Sequence, residues 1–191
     1  MIRILNGKWK GQYLKVPDGK GTRPTSAARK EALFNILEHG LAHNSERVLD
    51  LFAGTGSLSF EALSRTAHRA VMIEKDPKAL LSIKENIERL QISPQTVSVI
   101  ASNRIKEWPL RLAQLTDFLP FDTIFCDPPY GLGLVEKVIP KFEAVPHIFS
   151  DNAVLIVEMD EREDIPIFKN WEYLKERGHG EGKLIFFRRK K

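Results

Sequence analysis

The sequence has one cysteine, Cys126, in 191 residues. A lone thiol excludes an internal disulfide framework and points to a reducing compartment. Long hydrophobic runs are missing too: no stretch approaches the ~20 apolar residues that cross a bilayer. The start, MIRILNGKWKGQ, is too polar and charged for a secretory signal. These shortages together lead to the expectation of a cytoplasmic protein with no membrane attachment. The five histidines (His39, His43, His68, His147 and His179) are scattered without metal-ligand spacing, so no metal is expected. Acids are scarce in one place only. Residues 1–30 hold Asp18 against eight Lys/Arg (Arg3, Lys8, Lys10, Lys15, Lys20, Arg23, Arg29 and Lys30), a local charge of +7. The whole chain carries +4, so the remainder carries −3. Such asymmetry is the electrostatic footprint of a phosphate-rich partner.

What is present suffices for one α/β domain with a substantial core, at 42% apolar content. IRILNGKWKGQYLKVP reads as a β-hairpin or short meander, with turn glycines at Gly7 and Gly11. TSAARKEALFNILEHG reads as a helix capped by Thr25 or Ser26 and ending near Gly40, with Ala32, Leu33, Ile36 and Leu37 as its apolar stripe. From residue 47 strands and helices alternate. The strands fall at 47–52, 69–74, 96–101, 121–127 and 152–159, and the helices at 56–65, 76–91, 104–115 (interrupted at Pro109) and 132–145. WEYLKERGHGEGKLIFFRR closes the chain as an antiparallel hairpin turning through Gly178–Gly182. This pattern implies a mostly parallel, doubly wound sheet of Rossmann-like α/β type. The chain is read as one domain, a basic N-terminal hairpin and helix extension, 1–44, ahead of the Rossmann-like core, 45–191. In such sheets ligands sit beyond the carboxyl ends of the strands, where the strand order reverses.

The loop after the first core strand, LDLFAGTGSLSFEALSR, opens directly into a helix. Its small residues let backbone approach a ligand closely. A dinucleotide fingerprint fails at Ser59, where the third glycine belongs, and no Gly-Lys-Ser/Thr follows to make a phosphate loop. The stretch instead resembles D-x-F-x-G-x-G, the cofactor loop of S-adenosylmethionine-dependent methyltransferases. That resemblance assigns Asp50, Phe52, Ala53, Gly54 and Gly56 to the cofactor. Glu74, 24 residues after Asp50 at the tip of the next strand, is placed to take two ribose hydroxyls. Asn103, after the third core strand, offers a donor and an acceptor to an adenine edge.

The fourth core strand ends in Asp127-Pro128-Pro129-Tyr130. Two prolines fix two φ angles and remove two donors, leaving a rigid corner with free carbonyls. It resembles the D/N-P-P-Y/F/W motif of enzymes that methylate exocyclic amino nitrogens. The lone pair of such an amine is delocalised into its ring. Two acceptors aimed at its N–H bonds, the Asp127 carboxylate and the Pro128 carbonyl, favour a tetrahedral nitrogen and stabilise charge developing there. Asp127 also borders the cofactor side. Tyr130 stacks on an unstacked base, a contact worth ~1–3 kcal/mol. Cytosine C5 chemistry would need a cysteine nucleophile, but Cys126 lies inside the strand and reads as a small buried residue.

Taken together, IRILNGKWKGQYL, TRPTSAARKEALFNIL, the cofactor loop and DPPY resemble the RsmD family across essentially the whole chain. The resemblance implies a class I S-adenosylmethionine-dependent methyltransferase fold with a seven-stranded sheet; a monomer is the default expectation, with oligomeric state left open by the sequence. It also implies methylation of guanine N2 in small-subunit ribosomal RNA, either free or within the small ribosomal subunit. Ala27-Ala28 stands where family members often carry Asp-Arg, so Arg29 or Lys30 must supply any basic contact there. Arg3, Lys8, Lys10, Arg23, Arg29 and Lys30 are the candidate RNA contacts. Nothing in DPPY itself separates guanine from adenine. An amino-methyltransferase of DNA adenine or another RNA, and a non-catalytic RNA-binding module, stay open as alternatives.

Overall fold

A computed structural model describes residues 2–17, 27–41, 46–179 and 182–190. Seven strands form the central sheet: β3 (Arg47–Asp50), β4 (Arg69–Glu74), β5 (Val97–Ala101), β6 (Phe121–Cys126), β7 (Phe149–Asp160), β8 (Trp171–His179) and β9 (Gly182–Arg189). Two short strands, β1 (Ile2–Arg3) and β2 (Tyr13–Leu14), pair separately as an N-terminal hairpin. The order across the large sheet is β5-β4-β3-β6-β7-β9-β8. The pairs joining β5 through β7 are parallel, and β9 is antiparallel to both neighbours. The chain winds outward from β3 to β5, then crosses back to lay β6 against the other side of β3. The strand order therefore reverses between β3 and β6, which sets the loops that follow those two strands side by side.

Side chains alternate faces along each strand. Leu49, Val71, Ile73, Ile124, Cys126, Leu155 and Val157 feed one core, while Val48, Ala70, Met72, Phe125, Val154 and Ile156 feed the other. Burying each such Val, Leu or Ile is worth ~1.5–3 kcal/mol. Helices α2 (Ser57–Arg65) and α3 (Pro77–Arg89) bear on the second core through Phe60, Leu63 and Ile83. Asp76 caps α3, its carboxylate accepting the Ala79 N–H at 2.8 Å, with Pro77 in the first turn.

Several elements differ from the sequence reading. The helix expected over 132–145 narrows to α5 (Leu134–Val138), followed by a tighter 3₁₀ stretch to Ala144. Pro140 lacks the N–H that would continue the α ladder, and its ring clashes one turn back. The helix expected over 104–115 divides beside Pro109 into a 3₁₀ turn, Ile105–Glu107, and α4 (Trp108–Ala113), with the proline in the first turn of α4, where a missing N–H costs no bond. α1 (Ala27–Ile36) ends in a wider π turn, Leu37–Leu41, that includes Gly40. Its buried stripe is Lys30, Leu33, Phe34 and Leu37, and Ala32 is exposed. The proposed caps Thr25 and Ser26, and the tip of the closing hairpin, lie outside the described residues. Among the described residues no helix is long and apolar enough to cross a membrane.

Lysine in that stripe is explained by the N-terminal hairpin. Lys30 is 1% exposed, its Nζ 3.0 Å from Glu61 Oε2, and it donates to the Arg3 carbonyl at 2.9 Å. Glu61, fully buried on α2, accepts the backbone N–H groups of Leu5 (2.8 Å) and Asn6 (3.0 Å) and the Arg65 Nε at 2.9 Å. Burial pulls the Lys30 ammonium below its ordinary range, with Glu61 opposing. Burial also works against the Glu61 carboxylate, yet the Leu5 N–H, Arg65 and Lys30 together hold it below its ordinary value. Gly7 sits with φ +82°, and an added Cβ there would fall 1.8 Å from the Ser64 carbonyl oxygen. Farther along, Asn86 on α3 accepts the Lys15 N–H at 2.7 Å and donates to its carbonyl at 3.1 Å. The hairpin is thus fastened to α2 and α3 by buried polar pairing.

Candidate active site

At the reversal point β3 leaves the sheet at Asp50. Ala53 N–H still reaches the Ile73 carbonyl at 3.0 Å, after which Gly54 (φ +55°) and Gly56 (φ +77°) turn the chain into α2. The two glycines do different things. A Cβ on Gly56 would lie 2.6 Å from the Phe60 ring, so that glycine lets α2 seat. A Cβ on Gly54 would meet nothing within 4 Å, so that glycine leaves an open face. Phe52 packs edge-on against Trp108 with ring centroids 5.5 Å apart. Asp50 lies beneath, 1% exposed; its Oδ2 accepts the Ser59 hydroxyl at 2.9 Å, and its Oδ1 has no partner among the described residues. Burial pushes the Asp50 carboxyl up to about 7; Glu74 adds to the rise and the Ser59 hydrogen bond opposes it.

Glu74 has a task that its position in the sequence did not reveal. Its Oε2 accepts the Gly54 N–H at 2.7 Å, and its Oε1 accepts the N–H groups of Lys75 (2.7 Å) and Asp76 (2.9 Å). The carboxylate staples the glycine loop to the start of α3, using three of roughly four acceptor positions. Asn103 lies exposed in the loop after β5.

Across the reversal, Asp127 follows β6, which pairs Asp50 with Phe125. Burial, then Glu158 and Asp50, raise the Asp127 carboxyl well above the ordinary carboxylate range, with Arg29 opposing. Pro128 is buried. The Tyr130 hydroxyl donates to Glu158 Oε1 at 2.9 Å, and Arg29 donates to the same oxygen. Burial first, then the Glu158 charge, push the Tyr130 phenol up to about 12. Gly182 on β9 makes this trio possible: an added Cβ would stand 2.4 Å from the Tyr130 hydroxyl and 3.3 Å from the Arg29 Nη2. A cavity of about 380 Å³ opens alongside, lined in part by Pro128, Tyr130, Val135, Glu158 and Met159. Cys126 is buried with its thiol raised by that burial, so it offers no nucleophile. Glu158 escaped the sequence reading, although an acid inside the apolar run NAVLIVEM was the available signal.

The chain matches the family described as conserved hypothetical protein 95 over residues 2–188. It is 36% identical over 179 residues to ribosomal RNA small subunit methyltransferase D of Haemophilus influenzae, covering 94% of this chain and 89% of that protein. Its identity to the Escherichia coli K12 protein of the same name is 35% over 181 residues, 94% of this chain and 86% of the relative. The chain belongs to the RsmD family of methyltransferases. The solved structure of the Escherichia coli protein yhhF superposes with a TM-score of 0.82 at 34% identity, covering 99% of this chain and 98% of that one. The rRNA methyltransferase aviRa of Streptomyces viridochromogenes, at 15% identity and TM-score 0.65 over 89% of this chain and 88% of its own, shares the fold. The fold is that of the class I S-adenosylmethionine-dependent methyltransferases.

The residues of this RsmD-family site fit such a cofactor chemically. Asp50, Asp127 and Glu158 bring three carboxyl groups together, and burial first, then neighbouring acids, raise Asp50 and Asp127. Asp50 Oδ1 has no partner among the described residues, so a cationic ligand beside an open Gly54 would be favoured by drawing these acids toward their ionised forms. Among the described residues no cluster of three His, Cys, Asp or Glu could hold a metal. The basic candidates separate. Arg3, Lys8 and Lys10 are exposed on the N-terminal hairpin, with Lys8 Nζ 4.2 Å from the Trp9 ring centroid. Arg23 lies outside the described residues. Lys30 is buried against Glu61, which removes it from the RNA contacts. Arg29 points inward to Glu158 rather than outward to phosphate.

Proposed function

We propose that this chain methylates the exocyclic N2 amine of a guanine in small-subunit ribosomal RNA, as a monomer in the cytoplasm. The single observation that carries the reading is the position of Asp127-Pro128-Pro129-Tyr130, directly across the strand reversal from the Gly54 loop. S-adenosylmethionine, once bound, supplies an electrophilic methyl group on a cationic sulfur. Phe52, Ala53, Gly54 and Gly56 form the wall that holds it, with Asp50 beneath. Glu74 keeps that wall in place and offers its remaining acceptor capacity to a ribose hydroxyl, and Asn103 meets the adenine edge.

Asp127, in its ionised form, and the Pro128 carbonyl accept the N–H bonds of the target amine. They hold the lone pair out of the ring plane and stabilise the positive charge that grows on nitrogen. The two prolines keep both acceptors in place, so little reorganisation is needed during transfer. Tyr130 forms one face of the base pocket. Arg3, Lys8 and Lys10, with Arg23, meet backbone phosphates, which position the RNA without reading its sequence.

The test is transfer of labelled methyl from S-adenosylmethionine to unmodified small ribosomal subunits, their naked RNA, transfer RNA and duplex DNA, followed by nucleoside digestion. N2-methylguanosine from the subunit or its RNA, lost in Asp127→Ala with cofactor binding kept, is the expected result. Label in adenine or in DNA alone would refute the substrate assignment. Full turnover by Asp127→Ala would refute the clamp.

A further inference from the structure

We propose that Glu158 selects the base: its carboxylate accepts the N1–H of the target guanine while Asp127 and Pro128 hold the neighbouring N2 amine. The inference rests on the guanine-N2 reading above. Glu158 comes from β7, flanked by the buried Val157 and Met159, and is itself 7% exposed. A carboxyl group in such a place costs free energy unless it is paired, and Arg29 and Tyr130 supply partners for one of its oxygens. Its two oxygens are used unequally. Oε1 receives both the Tyr130 hydroxyl and Arg29, whereas among the described residues no donor meets Oε2. Glu158 lines the same cavity as Pro128 and Tyr130, and Oε2 is its carboxylate oxygen with no donor among the described residues.

The chemistry of the bases then decides which ligand fits. Guanine presents N1–H beside its amine, two donors in a row. Adenine and cytosine each present a bare ring nitrogen, an acceptor, beside theirs. Asp127 and Glu158 each follow one member of the register pair Cys126 and Val157 on the parallel strands β6 and β7, so the two carboxyls come from adjacent strand ends. Together they match the guanine edge and place a lone pair against a lone pair for either rival. Arg29 and Tyr130 are positioning residues, because by binding Oε1 they fix the plane in which Oε2 is presented. Gly182 makes room for both.

The experiment uses small-subunit RNA assembled by ligation with guanine or 2,6-diaminopurine at the mapped target position. Diaminopurine keeps the 2-amine but has a bare N1 and an amine in place of O6. The wild-type chain is expected to methylate guanine with kcat/KM higher by roughly 10⁴-fold, the scale at which a site built around a hydrogen bond rejects a ligand lacking it. Glu158→Gln, whose amide can donate to a bare N1, is expected to lose activity on guanine and to narrow that ratio by at least ~10-fold, about 1.4 kcal/mol. Equal methylation of both bases by the wild type overturns the proposal while leaving the guanine-N2 function standing. A variant that loses both activities by one common factor also overturns it, because Glu158 would then only support the fold. Should Glu158→Gln fail to fold, as judged by loss of cofactor binding, Glu158→Asp, which keeps the acid but withdraws it from N1, is read on the same two bases. A guanine-to-diaminopurine ratio equal to the wild type's then overturns the proposal. No N2-methylguanosine from the wild type would overturn both readings.

Discussion

Asp50→Asn isolates the cost of the acid beneath the cofactor loop. In the folded chain the Asp50 carboxyl is raised from 3.8 to about 7 by burial. Between those values the folded state holds a proton that the unfolded state has released, so stability falls as pH rises through the window. At about 1.4 kcal/mol per pH unit, this one group removes roughly 3 kcal/mol between pH 4.5 and 8, and almost nothing more above that. Asparagine keeps an acceptor for the Ser59 hydroxyl and cannot titrate. Urea unfolding of both proteins at several pH values, without cofactor, reads the difference. The two stabilities should converge near pH 4.5, apart from a constant offset for whatever the amide loses. They should separate by ~3 kcal/mol at pH 8, with the variant gaining. Parallel pH profiles would show that Asp50 is not held protonated, and the account of the site as a concentration of uncompensated acid would fail.

Other consequences follow from the same contacts. Lys30→Met leaves Glu61 buried with one partner fewer and should cost ~3–5 kcal/mol in chemical unfolding, while the salt dependence of RNA binding stays as in the wild type. A changed salt slope with unchanged stability would return Lys30 to the RNA surface. Replacing Lys8 and Lys10 together by Gln should do the opposite, flattening the slope of log K against log salt by about 1–2 without loss of stability. Gly182→Ala places a Cβ 2.4 Å from the Tyr130 hydroxyl, too close to keep, so methyl transfer should fall by ~10²-fold or more through misplaced groups, with cofactor affinity kept. Wild-type turnover in that variant would mean that the Tyr130–Glu158–Arg29 trio does not matter to the chemistry.

The sequence by itself determined the parts whose meaning is local. Parallel strands buried on both faces must be short apolar runs, and RVLDLF, RAVMIE and FDTIFC read that way without a partner in view. TVSVIA, at the sheet edge, carries a polar Ser98 and an exposed Val99. Asp76-Pro77 starts a helix because capping involves only the next three residues. The glycine loop and the DPPY corner were legible because their chemistry sits in consecutive residues, and the family pattern extended that legibility to the fold. Length was less legible: the helix over 132–145 gave way at Pro140, where the backbone rule at one residue outweighed the apolar period around it.

Only the tertiary structure decided which distant charges meet. Arg29 and Glu158 are 129 positions apart, and they come together because β7 lies beside β6 while α1 reaches the same end of the sheet. Lys30 and Arg29 are neighbours of the same type, yet the turn of α1 buries one against Glu61 and aims the other at the corner. Glu74 looks like a ribose acid from its spacing, and folding adds a backbone task to the same oxygens. Sequence fixes the type of each side chain and its local direction. Whether a charge is solvated, paired or left facing a cavity depends on strand order and packing, which bring residues together without regard to their separation along the chain.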